Sequence, residues 1–177
     1  MALPTGTHRF GPDNASLQVR TYREGVAAKA GHDLIIAVTR WDATVEVAGE
    51  WTITLNADPR SLEVREGLRG VKPLTDKDRA EIRKTIDAKV LGSHPISFHS
   101  THVRPVDEQG RLTVEGELSM AGTARPLTAQ LTVGDGGAIS GTIPLTQSNW
   151  GIKPYRGLMG ALKVRDEVEI VIEANLT

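Results

Sequence analysis

Residues 112–133 read Leu-Thr-Val-Glu-Gly-Glu-Leu-Ser-Met-Ala-Gly-Thr-Ala-Arg-Pro-Leu-Thr-Ala-Gln-Leu-Thr-Val. Up to Met120 the apolar residues Leu112, Val114, Leu118 and Met120 are interleaved with Thr113, Glu115, Glu117 and Ser119. From Leu127 onward, Leu127, Ala129, Leu131 and Val133 alternate with Thr128, Gln130 and Thr132. Successive side chains of an extended strand point to opposite faces, so this period of two gathers the apolar groups on one face. Between the runs, Ala121-Gly122-Thr123 breaks the pattern with turn chemistry. Strands joined by so tight a connection run antiparallel, because parallel neighbours need a long crossover. The stretch predicts two antiparallel strands with one oily and one wet face.

The same rhythm spreads outward. Trp51, Ile53, Leu55 and Ala57 alternate with Thr52, Thr54 and Asn56, while Val168, Ile170, Ile172 and Ala174 are set against Glu167, Glu169, Val171 and Glu173. Similar readings hold for 17–22, 34–47, 96–103 and 139–146. Asp107-Glu108-Gln109-Gly110 and Gly134-Asp135-Gly136-Gly137 are short enough for hairpins. The expectation is an all-β, antiparallel fold of about eight strands, which a two-sheet sandwich or a barrel would satisfy. Only closure removes both sheet edges, and an eight-stranded barrel is just wide enough to be filled or to hold one small ligand. The pattern alone leaves that choice open. No internal repeat or linker divides the chain, so residues 1–177 are expected to form one domain.

One segment departs from the rhythm. Thr75 is a plausible N-cap with Asp76 and Asp78 in the first turn, and Ile82, Ile86 and Val90 then fall on one helical stripe until Gly92 and Pro95 stop it. A surface α-helix near residues 76–91 is expected. Its narrow apolar edge reads most simply as an ordinary packed connector, and alternatively as a cover over a barrel mouth.

Several stretches, in order, carry a family resemblance. They are His94-Pro95-Ile96-Ser97-Phe98-His99-Ser100-Thr101-His102-Val103, then Gly110 through Leu127, then Ser148-Asn149-Trp150-Gly151-Ile152 and Val164-Arg165-Asp166-Glu167-Val168-Glu169-Ile170. Together they resemble the YceI-like family, polyisoprenoid-binding domains with a lipocalin-like barrel. The N-terminal third fits less closely: Gly31-His32-Asp33-Leu34 is similar to a G-H-D-H element of some members, with Leu34 in place of the second histidine. The loop 60–75 also matches only loosely. The resemblance implies a barrel around a hydrophobic tunnel for an isoprenoid chain, with ligand contacts spread over an apolar wall.

On that reading the lumen positions are Val19, Ile36, Val38, Ile53, Leu55, Phe98, Val114, Leu118, Leu131, Ile143 and Ile170, with Trp150, Leu158 and Met159 added near the mouth. Alternation by itself favours a dry, filled core. Aromatics make up only 4% of the chain, and large rings are the usual means of filling a wide interior. That shortage, with the resemblance, favours a hollow. Burying each methylene of a guest gains roughly 0.8 kcal/mol, so a prenyl chain needs no polar contact to bind. Leu158, Met159 and Leu162, set among glycines, read most simply as a cap on the core, and alternatively as an apolar lip with Tyr155 and Arg156 near a polar head group.

Other chemistries find little support. His99 and His102, three apart on a strand, should face opposite sides and share no ion, and nothing in the sequence brings His32 to His94. No metal site is expected. No G-x-S-x-G elbow occurs, and Gly67-Leu68-Arg69-Gly70 is wrongly flanked for a phosphate loop. A net charge of −1, with acids interspersed among the bases of 60–89, argues against nucleic acid. With no cysteine, no thiol chemistry is available. The N-terminal stretch lacks a secretory pattern, and no run approaches the roughly 20 apolar residues that cross a bilayer. The expectation is a cytoplasmic, non-catalytic carrier of a polyisoprenoid or isoprenoid quinone, with no cofactor and no stable membrane insertion. A homodimer is compatible with it. The alternative is a packed-barrel interaction or stress-response module without cargo.

Overall fold

The computed structural model describes residues 4–157 and 162–175. The alternation of 112–133 becomes β9 (Arg111–Met120) and β10 (Thr123–Val133) in the chain-order numbering used below. They pair without a break from Thr123 opposite Met120 to Thr132 opposite Arg111. The reversal is made by Ala121 and Gly122 with φ of 51° and 80°, the twisted two-residue turn that suits a hairpin. On β9, Leu112, Val114, Gly116, Leu118 and Met120 are buried, and the residues between them are not.

Ahead of this hairpin come β1 (Gly6–Phe10), β2 (Ala15–Thr21), β3 (Arg23–Glu24), β4 (Asp33–Val38), β5 (Trp41–Val47), β6 (Thr52–Ala57), β7 (Leu62–Leu68), α1 (Asp76–Thr85) and β8 (Ile96–Arg104). After it come β11 (Ala138–Thr146), β12 (Arg156–Gly157), β13 (Leu162–Val164) and β14 (Glu167–Asn175). Eleven strands form one antiparallel sheet in the order β1-β5-β6-β8-β9-β10-β11-β14-β2-β4-β7, curled into a half-barrel, and β12-β13-β3 form a small second sheet. This is the expected lipocalin-like all-β architecture.

The strand count exceeds the sequence reading for identifiable reasons. Residues 34–47 divide at Thr39-Arg40 into β4 and β5. β1 is an edge strand exposed on most of its length, so it carries no one-sided pattern. In β7 the alternation is broken by a bulge: Ile35 lies opposite Glu66 and Ile36 opposite Val64, which leaves Arg65 without a partner in the ladder. The two arms of the curled sheet meet where the Thr39 N–H and hydroxyl donate to the Ser61 carbonyl, both at 2.8 Å, and the Asp58 N–H donates to Arg40 at 2.9 Å.

Thr75 and Asp78 cap α1 reciprocally, each side chain accepting the other's backbone N–H at 3.1 and 3.0 Å. Those bonds hold the Asp78 carboxyl below its ordinary value, the Thr75 N–H being the largest cause. A π-helical turn (Ile86–Val90) continues the helix. Arg83 ties α1 to the start of β7 by donating to the Arg60 carbonyl at 2.8 Å, with Glu63 at 3.9 Å. The apolar stripe is thereby turned toward the interior.

Candidate functional site

The concave face of the sheet encloses a cavity of about 500 Å3, within the roughly 300–1,000 Å3 usual for small-molecule sites. Register explains its wall. Ile143, Ile170, Val19, Ile36 and Val64 stand opposite one another across β11, β14, β2, β4 and β7. The first four of these belt residues line the cavity. Across the half-barrel, Leu55, Phe98 and Leu118 do the same on β6, β8 and β9. Phe98 is seated by Gly116: a Cβ there would fall 2.5 Å from the Phe98 ring and 2.4 Å from the His99 carbonyl oxygen. Val38, Ile53, Val114 and Leu131 complete the predicted positions that line the space. The protein's own side chains do not fill the centre.

Trp150 is placed differently from the sequence expectation. It is buried in a short 3-10 turn (Gln147–Trp150) outside the cavity lining, its Nε1–H donating to the Leu118 carbonyl at 2.9 Å. Its ring follows the break at the end of β11 and so does not continue that strand's parity. Leu158 and Met159 lie outside the described residues, so the cap or lip expected of them falls there too. Ile82, Ile86, Val90 and Leu91 bound the cavity beside β7, where the sheet ends. Of the two readings of the helix, its position favours the cover.

Polar groups gather at one end of the cavity. Thr21 ends β2, and its register partner Leu34 is the second residue of β4, so Arg23 and His32 lie at the same rim. Glu81 and Thr85 of α1, Tyr155 and Lys163 join them in the lining. This rim is braced from behind. Asp33, 6% exposed, accepts the Arg23 N–H at 2.9 Å and lies 3.5 Å from the Arg69 guanidinium. Arg23 donates onward to the Gly31 carbonyl at 3.1 Å and to that of Arg69. The His32 ring bonds through Nε2 to the Lys72 carbonyl, which only accepts, so Nε2 carries the proton. Gly70 leaves room for that ring, since a Cβ would come within 2.1 Å of Nε2. Gly70 therefore serves the histidine, while Gly67 makes room chiefly for Leu74, 2.4 Å from where its Cβ would stand. Tyr22, next along the chain, donates to Glu169, and this bond to a carboxylate raises the phenol above its ordinary value.

His99 and His102 share a face, against the expectation from parity. A bulge at Thr101 leaves His99 opposite Glu117 and His102 opposite Glu115, and those glutamates share one face of β9. Both histidines are exposed on the outer face. His94 sits against the β9–β10 turn, its ring 3.5 Å from where a Gly122 Cβ would stand. Among the described residues no group of three or more His, Cys, Asp or Glu is arranged to hold a metal ion. No described helix is long and apolar enough to cross a membrane.

Sequence reading missed Arg23, Glu81 and Lys163 at the rim. None carries a periodic signal, and only the docking of β3, α1 and β13 brings them together. Gln147, also in the lining, is buried and donates to the Arg165 carbonyl at 3.1 Å.

A curled antiparallel sheet around an apolar hollow, with a helix along its open side and a polar rim, defines a β-protein of the ligand-cavity class. The YceI-like domain model matches residues 18–176, and the chain belongs to that family. The crystal structure of Burkholderia cenocepacia BcnA is similar to it, with a TM-score of 0.66 at 17% identity, covering 92% of this chain and 96% of that one. That likeness is one of fold. No curated protein matches the chain in sequence.

Proposed function

We infer that the protein is a non-catalytic carrier that holds one long apolar chain, a polyisoprenoid or the tail of an isoprenoid quinone, inside the half-barrel. The observation that carries this reading is the unfilled cavity of about 500 Å3, walled by inward-facing aliphatic residues of the sheet and by the α1 stripe. Val19, Ile36, Val38, Ile53, Leu55, Phe98, Val114, Leu118, Leu131, Ile143 and Ile170 are the wall the chain would touch. Such a wall selects by length and bulk, since roughly 0.8 kcal/mol per buried methylene accrues without directional bonds. The guest's polar end belongs at the rim, where Tyr155 offers a hydroxyl and Lys163 a positive charge. The polar groups of the lining are mostly spent on structure, as the Arg23–Gly31 and His32–Lys72 bonds illustrate, which favours holding over chemistry.

Mass spectrometry of solvent extracts from freshly purified, then denatured, protein tests this. The expected result is a stoichiometric apolar lipid, together with a rise in melting temperature when polyprenol is added to stripped protein. A clean extract with no thermal shift would contradict the reading.

A further inference from the structure

Strand β10 is zipped to β9 along its length, but on its other side it is hydrogen-bonded to β11 only at its end. Toward β11 the ladder holds only Thr132 opposite Ser140 and Val133 opposite Ile139, closed at its end by the Gly134 N–H donating to the Ala138 carbonyl at 2.7 Å. Continued in register, it would set Thr128 opposite Pro144 and Pro126 opposite Thr146. Bonded and non-bonded pairs alternate in an antiparallel ladder, and counting from Gly134–Ala138 makes both of these bonding rungs.

The other edges agree. The Gln147 N–H donates to Asp166 at 2.9 Å, so Pro144, opposite Glu169, turns its nitrogen away from β14. The two-residue turn makes Met120–Thr123 a bonded pair, so Pro126, opposite Glu117, turns its nitrogen away from β9. Each proline thus presents to the β10–β11 gap a nitrogen with no hydrogen to donate. The ladder opens one bonding rung earlier, at Gln130–Thr142, and the two successive rungs beyond it each lack a donor that could close it.

The split lies over the cavity. Leu127 and Leu131 on one lip and Ile143 on the other line the lumen. At the fork a Cβ on Gly141 would fall 2.4 Å from Leu131 Cδ2, so the Leu131 side chain occupies that space. Outside the fork is a polar groove of about 350 Å3 bordered by Arg111, Gln130, Ser140 and Thr142. Ile172 lines both groove and cavity, so the two spaces approach each other at this residue.

We propose that the slit between β10 and β11 is a side door through which the guest's apolar chain enters and leaves, held unzipped by Pro126 and Pro144 and plugged by Leu131. This rests on the carrier reading above. A slender hydrocarbon chain suits the passage because it asks for no hydrogen bond from the strand edges. The polar groove keeps the outer lips hydrated.

Stopped-flow binding of the fluorescent polyene cis-parinaric acid to the full chain tests the door. Pro126 and Pro144 are exposed and outside the lining, so P126T/P144T restores both donors without altering the wall. Association and dissociation rates should both fall about tenfold, the scale of one or two added backbone hydrogen bonds, with Kd held within about twofold. Leu131→Ala should raise both rates. Binding by the unaltered protein with wild-type rates in both variants overturns the door alone. An unaltered protein that leaves the probe in water overturns the carrier reading, and the door with it.

Discussion

The cavity wall and the cavity rim are built on different principles. The wall is periodic: Ile143, Ile170, Val19 and Ile36 stand in line because four strands keep register and every second residue is apolar. The rim is assembled from β3, the start of β4, the 69–72 segment, α1 and β13 by hydrogen bonds between residues far apart in the chain. A wall of this kind is sensitive to volume. A rim of this kind is sensitive to the loss of a single donor or acceptor. Perturbing the two in turn should therefore give different signatures.

The largest effect is expected in the wall. Gly116→Val drives a side chain into the His99 carbonyl and the Phe98 ring, and main chain cannot step aside as a side-chain tip can. A loss of about 3 kcal/mol in denaturant unfolding, at the upper end of overpacking costs, should accompany loss of ligand binding. Gly141→Val is the matched control: its Cβ meets the end of the Leu131 side chain at 2.4 Å but main chain no nearer than the Gln130 carbonyl at 3.3 Å, and it should cost less than half as much.

At the rim, Asp33→Ala should cost about 2 kcal/mol, since it strands the Arg23 N–H and frees Arg69, whereas Asp33→Asn keeps an acceptor and should recover much of the loss. Equal damage from both variants would mean that charge, rather than hydrogen bonding, braces the rim.

Smaller again is Thr75→Ala, which removes the N-cap of α1 at a cost of about 1 kcal/mol. Amide exchange should quicken over 76–90 and stay unchanged in β8–β10. Global loosening would show that the helix is integral to the sheet.

The mildest effect is that of acid. Asp58, Asp78 and Asp107 are each held below the ordinary 3.8 chiefly by backbone N–H donors, from Arg60, Thr75 and Arg111 respectively. Their folded-state values lie below the unfolded ones, so their stabilisation is complete above the ordinary value and is lost as pH falls through the depressed values. Titrating unfolding midpoints below pH 4 should show progressive loss that Asp107→Asn reduces.

These contrasts also explain what the sequence could disclose. Period-two alternation fixed the inward set, because a strand's faces depend only on parity, and the wall positions named from alternation line the cavity. Parity misled where a residue was inserted: the bulges at Arg65 and Thr101 hid β7 and placed His99 and His102 on one face. The rim was illegible, since Arg23 and Lys163 meet the cavity only after β3 and β13 pair. Pro126 and Pro144 were visible all along, but their meaning depends on which side of each strand their nitrogens face, and only the register of both neighbours supplies that.

If the hollow takes a hydrocarbon chain, its affinity depends on the length of that chain. Calorimetric titration of stripped protein with polyprenols of graded length tests it most directly. Affinity should climb with each isoprene unit until the cavity is full and then level off, with a negative heat-capacity change throughout. Affinity indifferent to length, or no heat at all, would contradict it.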